Sequence, residues 1–400
     1  QAPAPLRIGI VTYLSGPGAA SVGIPSKETA ELLTEAFNAG TAPGPYATKG
    51  FGGLPVELVM VDESGGATTQ VTEFRNLVQK QNVDLIVGYV GSGDCLAIAP
   101  LAEELRKLTV LYNCGTSRIF EEGSYKYVFR TSMQSGMESL AIAKYLKDTR
   151  AGLKTLGTIN QNYAFGQDSW ADFEGAMKVT LPGYTVTTVQ FTQFLAGQYN
   201  AEISALLQAK SDVVFSSLWG GDLEAFLLQA SPRGLLKRST FVLPSGEPQI
   251  YKFANQMPDG TIIGARGPNG PFAADTALNR WFRALHAKKA NEPNFAAYHM
   301  ANALLGVKQA WEKAQAAAGK RPNTEQVVAA LEGSAWDVPG GRVSLSSAKG
   351  HQAVYPISFG KTKNVNGKIQ FTDVKTYAPE QVTPPDGVKF ADWLKSGMKR

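Results

Sequence analysis

The chain has 400 residues, more than one compact core usually holds, so two domains of ordinary size are expected. Its hydrophobic share of 44% is that of a globular protein, and no apolar run reaches the roughly 18 residues of a membrane span. The formal charge of +5 arises from interspersed residues without a dense Lys/Arg block, which argues against a nucleic-acid partner.

The numbering opens on Gln1 and reads Gln1-Ala2-Pro3-Ala4-Pro5 before the first strand, as a mature chain does once a signal peptide has been removed. Export is therefore expected, without a lipid anchor, since no Cys stands at the start. The apolar run 8–11 stops at Ser15-Gly16-Pro17-Gly18, and a helical segment begins near Gly23. That is the opening βα unit of an open α/β sheet, where ligands sit at the ends of strands. A dinucleotide-binding Gly-x-Gly-x-x-Gly would need glycine at position 21, where Ser21 stands, so the loop suits a small polar ligand.

Further strands are expected at 56–61, 84–87 and 109–112, with helices at 68–81 and 96–107 between them. A second series follows, with strands at 155–159, 185–191, 213–216 and 241–243 and helices at 169–179, 201–208 and 223–229. Such alternation predicts parallel sheets covered on both faces, and two series predict two lobes. Residues 276–290 and 295–318 read as long helices, and 324–331 as a shorter one capped by Asn323 or Thr324. Beyond Gly341 short strands and turns take over, with Asn366-Gly367 as a hairpin signal, and the tail after Tyr377 is Pro-rich until 390–394.

Catalysis has little support. His286, His299 and His351 lie far apart without metal-type spacing and read as packing or surface residues. No nucleophile elbow, Walker loop or paired-cysteine metal motif occurs, and neither cofactor nor metal is expected. The informative residues stand at strand ends. Ser92, in Gly88-Tyr89-Val90-Gly91-Ser92-Gly93, falls between a strand and a helix, where its hydroxyl and the helix N–H groups would meet a carboxylate. Thr116, in Tyr112-Asn113-Cys114-Gly115-Thr116-Ser117, occupies the equivalent place after the next strand, so the two loops read as an anion pocket, or as ordinary turns and caps. Cys95 and Cys114 lie at these loops, and parallel neighbours about 5 Å apart make a disulfide reasonable. In the second series Tyr163, Phe165 and Trp219 stand after strands, as do Asp222, Ser245 and Glu247, and together they suit a small organic ligand.

The succession Leu14-Ser15-Gly16-Pro17, Val61-Asp62, Val87-Gly88 with Ser92, Gly115-Thr116-Ser117, Phe129-Arg130-Thr131 and Tyr163-Ala164-Phe165-Gly166 resembles the periplasmic leucine/isoleucine/valine-binding proteins. These are type I solute-binding proteins of branched-chain amino-acid ABC importers, and the similarity covers nearly the whole chain. The resemblance implies the type I periplasmic-binding-protein fold of class α/β: two doubly wound parallel-sheet lobes joined by three crossovers, with a ligand cleft between them. Residues 1–131 and 266–345 would form one lobe, and 132–265 and 346–400 the other. It further implies that Ser92 and Thr116 hold the ligand's carboxylate and amino group, that Cys114 offers its backbone carbonyl, and that Phe165 and Trp219 match aromatic ligand contacts.

The chain departs from the family in places. The acidic residue that binds the α-amino group aligns with Ser245, with Glu247 two residues on, and a first-loop tyrosine aligns near Val22. Where the family joins two loops by a disulfide, this chain has Ser64 and Gly91. Loss of the ammonium partner raises the case for a carboxylate without an amine, including an aromatic acid, beside that for an amino acid. The expected protein is a periplasmic monomer that passes a small carboxylate ligand to an inner-membrane permease. A ligand sensor of the same fold is the alternative.

Overall fold

The computed structural model describes residues 4–400; Gln1-Ala2-Pro3, on which the reading of a processed N-terminus rests, lie outside them. The first series alternates as β1 (Leu6–Thr12), α1 (Ile24–Ala39), β2 (Val56–Asp62), α2 (Gly66–Gln79), β3 (Leu85–Gly88), α3 (Ser92–Glu104), β4 (Thr109–Leu111), α4 (Arg118–Glu122) and β5 (Val128–Arg130). The second runs α5 (Ser135–Arg150), β6 (Thr155–Gln161), α6 (Ala164–Thr180), β7 (Thr185–Thr192), α7 (Asn200–Ala209), β8 (Val213–Ser216), α8 (Gly220–Ala230), α9 (Leu235–Arg238), β9 (Thr240–Leu243) and β10 (Ile262–Gly264). Then come α10 (Ala277–Ala287), α11 (Phe295–Ala318), α12 (Thr324–Leu331), β11 (Ala335–Val338), β12 (Gly341–Ser347) and β13 (Gln352–Val354). The chain closes with β14 (Ile357–Val365), β15 (Lys368–Tyr377), α13 (Pro379–Val382) and α14 (Phe390–Lys395).

Two compact units result: Gln1–Met133 with Ala273–Tyr355, and Gln134–Phe272 with Pro356–Arg400. The sheet of unit 1 has the order β11-β12-β13-β5-β4-β3-β1-β2, and that of unit 2 β15-β14-β10-β9-β8-β6-β7. The strands of each series run parallel, and β3, β4, β5 and β8 are wholly buried, as a sheet covered on both faces requires. The sheets are not parallel throughout: β11–β12, β12–β13, β10–β14 and β14–β15 pair antiparallel. For β11–β12 and β14–β15 the cause is local, because Pro339-Gly340 and Asn366-Gly367 leave two residues between strands, too few for a crossover. Asn366 and Gly367 both take positive φ, 53° and 79°, the geometry that a two-residue hairpin turn demands.

Passages between lobes were expected near Thr131, Ala265 and 345–350, whereas the compact units divide after Met133, Phe272 and Tyr355. The last shift has a plain reason: β13 joins the first sheet, Ala353 pairing with Leu345 of β12 and Gln352 with Arg130 of β5. Helix α12 starts as its sequence suggests. Asn323 Oδ1 accepts the Gln326 N–H at 3.0 Å and Gln326 Oε1 accepts the Asn323 N–H at 3.0 Å, a reciprocal cap.

The histidines are buried packing residues. His286 contacts Thr29 Oγ1 at 3.0 Å, His299 contacts Asn113 Oδ1 at 2.7 Å, and His351 stacks on Phe129 with ring centres 4.1 Å apart. Among the described residues no group of three or more His, Cys, Asp or Glu is placed to hold a metal ion, and no helix is long and apolar enough to cross a membrane.

Candidate ligand-binding site

In unit 1 the strand ends of β3 and β4 bring the expected residues together. Ser92 opens α3, and its Oγ accepts the backbone N–H of Thr116 at 3.2 Å, which leaves the hydroxyl hydrogen to donate elsewhere. Thr116 Oγ1 accepts the Arg118 N–H at 3.2 Å, an ordinary hydroxyl turn. Cys95 and Cys114 form a disulfide, with their Cα atoms 6.6 Å apart. The Cys114 carbonyl, expected to face a ligand, accepts from Arg130 Nη1 at 3.3 Å. That guanidinium also donates to the Thr116 carbonyl at 2.5 Å and to Gln352 Oε1 at 2.6 Å, so a buried Arg holds the whole loop from beneath.

Two acidic residues lie by the turn that leads into Ser92. The Glu63 carboxylate, just beyond β2, accepts the N–H of Val90 at 2.8 Å and of Gly91 at 2.6 Å. Backbone donors that precede α3 are thus occupied by a resident side chain. Asp94 lies close enough to the Glu63 carboxyl that its charge acts on it. A Cβ on Gly91 would lie 2.5 Å from Asp94 Oδ2, so only glycine fits between the helix start and this pair. Burial, then the Asp94 charge, raises Glu63 well above its ordinary range, against the pull of the two N–H groups; burial also raises Asp94, to about 6. Tyr89 beside them is buried at a φ of 77°, which L side chains rarely adopt.

The opening loop is fixed by Asp62 at the end of β2. Its carboxylate accepts from Leu14 N at 2.9 Å, Ser15 Oγ at 2.5 Å and Ser64 N at 3.1 Å. Burial pushes the carboxyl up, but these donors outweigh it and bring it down to about 2. Val22 is buried in the helical turn that follows, Ala19–Gly23.

In unit 2 the strand ends gather aromatic rings. Trp219 Nε1 donates to Tyr163 Oη at 2.8 Å, and Phe194 lies between them, its ring centre 4.7 Å from Tyr163 and 6.0 Å from Trp219. Phe165 lies 6.4 Å from Tyr163, and the Arg266 guanidinium sits 5.0 Å from the Phe165 ring centre. Ser245 and Glu247 are buried after β9; among the described residues the Ser245 hydroxyl has no hydrogen-bond partner, and Glu247 Oε1 accepts from Tyr251 Oη at 2.7 Å. Asp222, read from the sequence as a candidate ligand contact, is held by three donors within unit 2. Its Oδ2 accepts from Gln161 Nε2 at 2.7 Å and Leu195 N at 2.9 Å, and its Oδ1 accepts from Tyr199 Oη at 2.6 Å.

Sequence reasoning passed over Phe194, Arg266, Glu138, Glu63 and Arg130 as functional side chains. Phe194 follows β7 as Tyr163 follows β6, so the strand-end rule applied evenly reaches it. Glu138, in α5, carried no signal, since a lone Glu in a helix reads as surface. It is buried, one carboxyl oxygen is without a partner, and burial lifts it to about 7 against the pull of Arg266. A carboxyl raised from 4.5 to about 7 permits full stability below pH 4.5 and loses it as pH rises through 7. Glu138→Gln is expected to flatten that loss and to gain about 2–3 kcal/mol near pH 8. Thermal melts across pH decide it: slopes as steep as those of the parent protein would refute the assignment.

A family model described as periplasmic binding protein matches residues 5–368. The chain belongs to that family. Curated relatives within it include Leu/Ile/Val-binding protein homologs. A Leu/Ile/Val-binding protein homolog 4 of Brucella melitensis is 25% identical over 365 residues, covering 88% of this chain and 83% of the relative. Among solved structures, a solute-binding protein of an R. palustris ABC transporter in complex with benzoate aligns with a TM-score of 0.80 at 21% identity, covering 95% and 99% of the two chains. A leucine-binding protein of Thermotoga maritima aligns with a TM-score of 0.76 at 18% identity, covering 92% and 98%. The two mixed, mainly parallel sheets with flanking helices are those of the type I periplasmic-binding-protein fold.

Proposed function

We propose that this periplasmic binding protein is the exported, monomeric capture component of an ABC importer. It takes a small carboxylate-bearing ligand, an amino acid or an aromatic or other organic acid, and hands it unchanged to an inner-membrane permease. It binds that ligand without catalysis. The observation that carries the reading is the Ser92–Thr116 pair: a buried hydroxyl at a helix start, already accepting one N–H and therefore oriented to donate. Tyr163, Phe194 and Trp219 supply the flat apolar wall that an organic body needs. The relatives support both ligand classes, one being a leucine-binding protein and another holding benzoate. Glu247, whose Oε1 accepts from Tyr251 Oη, is the strand-end carboxylate read as the partner of an ammonium group in an amino-acid ligand.

A ligand that binds only the folded protein raises its melting temperature. Leucine, benzoate and related acids are expected to include at least one that does so. Ser92→Ala or Thr116→Val then weakens that ligand by about 1–3 kcal/mol in calorimetry, with little change in folding. Shifts produced by sugars or nucleotides alone would sink the carboxylate reading. Glu247→Gln separates the classes: it abolishes binding of an amino acid and spares an acid that has no amine.

A further inference from the structure

We propose that Glu63 and Asp94 share one proton and together hold the Tyr89–Val90–Gly91 turn under Ser92, so that carboxylate capture by unit 1 weakens as pH rises and that proton is lost. The inference rests on the function proposed above and adds its regulation.

The geometry carries it. Glu63 Oε1 lies 2.6 Å from Gly91 N and Asp94 Oδ2 2.5 Å from where a Gly91 Cβ would stand, so two buried carboxyls converge on one residue; two carboxylates there repel, and one proton between them removes a charge. The Val90 and Gly91 N–H groups converge on Glu63 and compensate a single negative charge. With the proton in place the pair carries one charge and the turn is satisfied. Without it, two charges lie behind Ser92, and the field at the hydroxyl face turns against an incoming anion. The same contacts restrain Tyr89 at its left-handed φ, so losing the proton also releases the turn that presents Ser92.

The neighbours do not supply a substitute proton at neutral pH. Facing the pair are the phenols of Tyr89 and of Tyr112, which contacts Thr12 Oγ1 at 2.7 Å, with Glu73 of α2 felt at Tyr89. The Tyr13 hydroxyl lies 3.0 Å from where a Gly91 Cβ would stand. Burial raises both Tyr89 and Tyr112, so these phenols stay neutral while the carboxyl pair titrates, as one coupled unit. Glu63 and Asp94 are positioning residues: neither is offered as a ligand contact.

Glu63→Gln is the informative variant. Its amide oxygen accepts the Val90 and Gly91 N–H groups, and its NH2 donates permanently to Asp94. The full chain is compared with Glu63→Gln and Glu63→Ala in two measurements. In the first, without ligand, melting temperature is followed from about pH 5 to pH 9; the fall with rising pH is expected to be smaller in Glu63→Gln than in the parent. In the second, calorimetry with benzoate and with leucine is expected to show parent affinity dropping by up to about tenfold per pH unit across the pair's ionisation. Glu63→Gln is expected to show a nearly flat profile, and Glu63→Ala weak binding throughout. Equal melting slopes for parent and Glu63→Gln would overturn the proposal, as would equal pH profiles or parent-like binding by Glu63→Ala. If neither probe binds the parent, the carboxylate reading fails for these acids, and the ligand-free melts still judge the proton pair.

Discussion

Arg130→Met is expected to cost unit 1 about 3 kcal/mol or more, because it strands three buried acceptors in one step. Gln352 Oε1 and the carbonyls of Cys114 and Thr116 all receive from this guanidinium, and none of them faces bulk water. The Gln352 amide in turn donates to the carbonyls of Ser132 and Ala353, each at 2.8 Å, and the Arg130 N–H donates to His351 O at 2.8 Å. Losing the side chain therefore loosens both the β5–β13 seam and the loop that carries Thr116. Methionine keeps much of the volume, so the loss reports hydrogen bonding more than a cavity. Lysine keeps the charge but lacks the planar fork, and is expected to recover only part of the stability. Urea unfolding with tryptophan fluorescence measures both variants; an Arg130→Met midpoint within error of the parent would refute this account. Binding is expected to weaken along with stability, since the loop under repair is the one that presents Thr116.

The second large effect is that of the disulfide. Cys95 and Cys114 are 19 residues apart in sequence, and a closed loop of that size contributes about 3 kcal/mol in the chain-entropy model. The bridge joins the first turn of α3 to the loop after β4, the two segments that carry Ser92 and Thr116. Cys95→Ala/Cys114→Ala is thus expected to lower the melting temperature and to reduce ligand affinity, while leaving the sheets formed. Intact mass with and without reduction before alkylation tests the bond itself, and two alkylated thiols in unreduced protein would exclude it. Combined with Arg130→Met, the cost is expected to exceed neither simple sum nor total unfolding, because both features hold residues 114–116 and their losses overlap.

How far the residues alone reach depends on length and burial. Apolar runs such as 8–11 and 213–216 announce central strands because each sets three β-formers within four buried residues. The strands β5 and β10 span three residues each, too few for any period to show. Helix α5 went unmarked for the opposite reason: it is buried nearly all round from Ser135 to Leu146, so no polar face alternates with an apolar one. Its signals are at the ends, in the Gln134 cap and in Lys147 and Arg150 of the last turn. Helices α2 and α3 start at Gly66 and Ser92, earlier than the residues suggest, because Gly and Ser read as loop until tertiary contacts commit them. At the site, hydroxyl and aromatic residues after strands were legible from position. Glu63 and Asp222 were not, since a carboxylate's role depends on which donors the fold brings to it: for one, the N–H groups of residues 90 and 91, for the other, Gln161, Leu195 and Tyr199.

The pairing of Arg130 with Gln352 spans 222 residues of chain. During synthesis, the first sheet begun is thus among the last completed: β1 to β5 emerge early and wait for β11, β12 and β13, while all of the second series is made in between. Such long-range closure slows folding relative to a chain of local contacts. It also means that the N-terminal third, cut out as a cassette, would carry Arg130 without its partner and a sheet lacking three of its eight strands. Grafting of this module onto another scaffold has to take residues up to Tyr355, with residues 134–272 of the second unit as an insertion inside the first and its remaining segment, 356–400, following it.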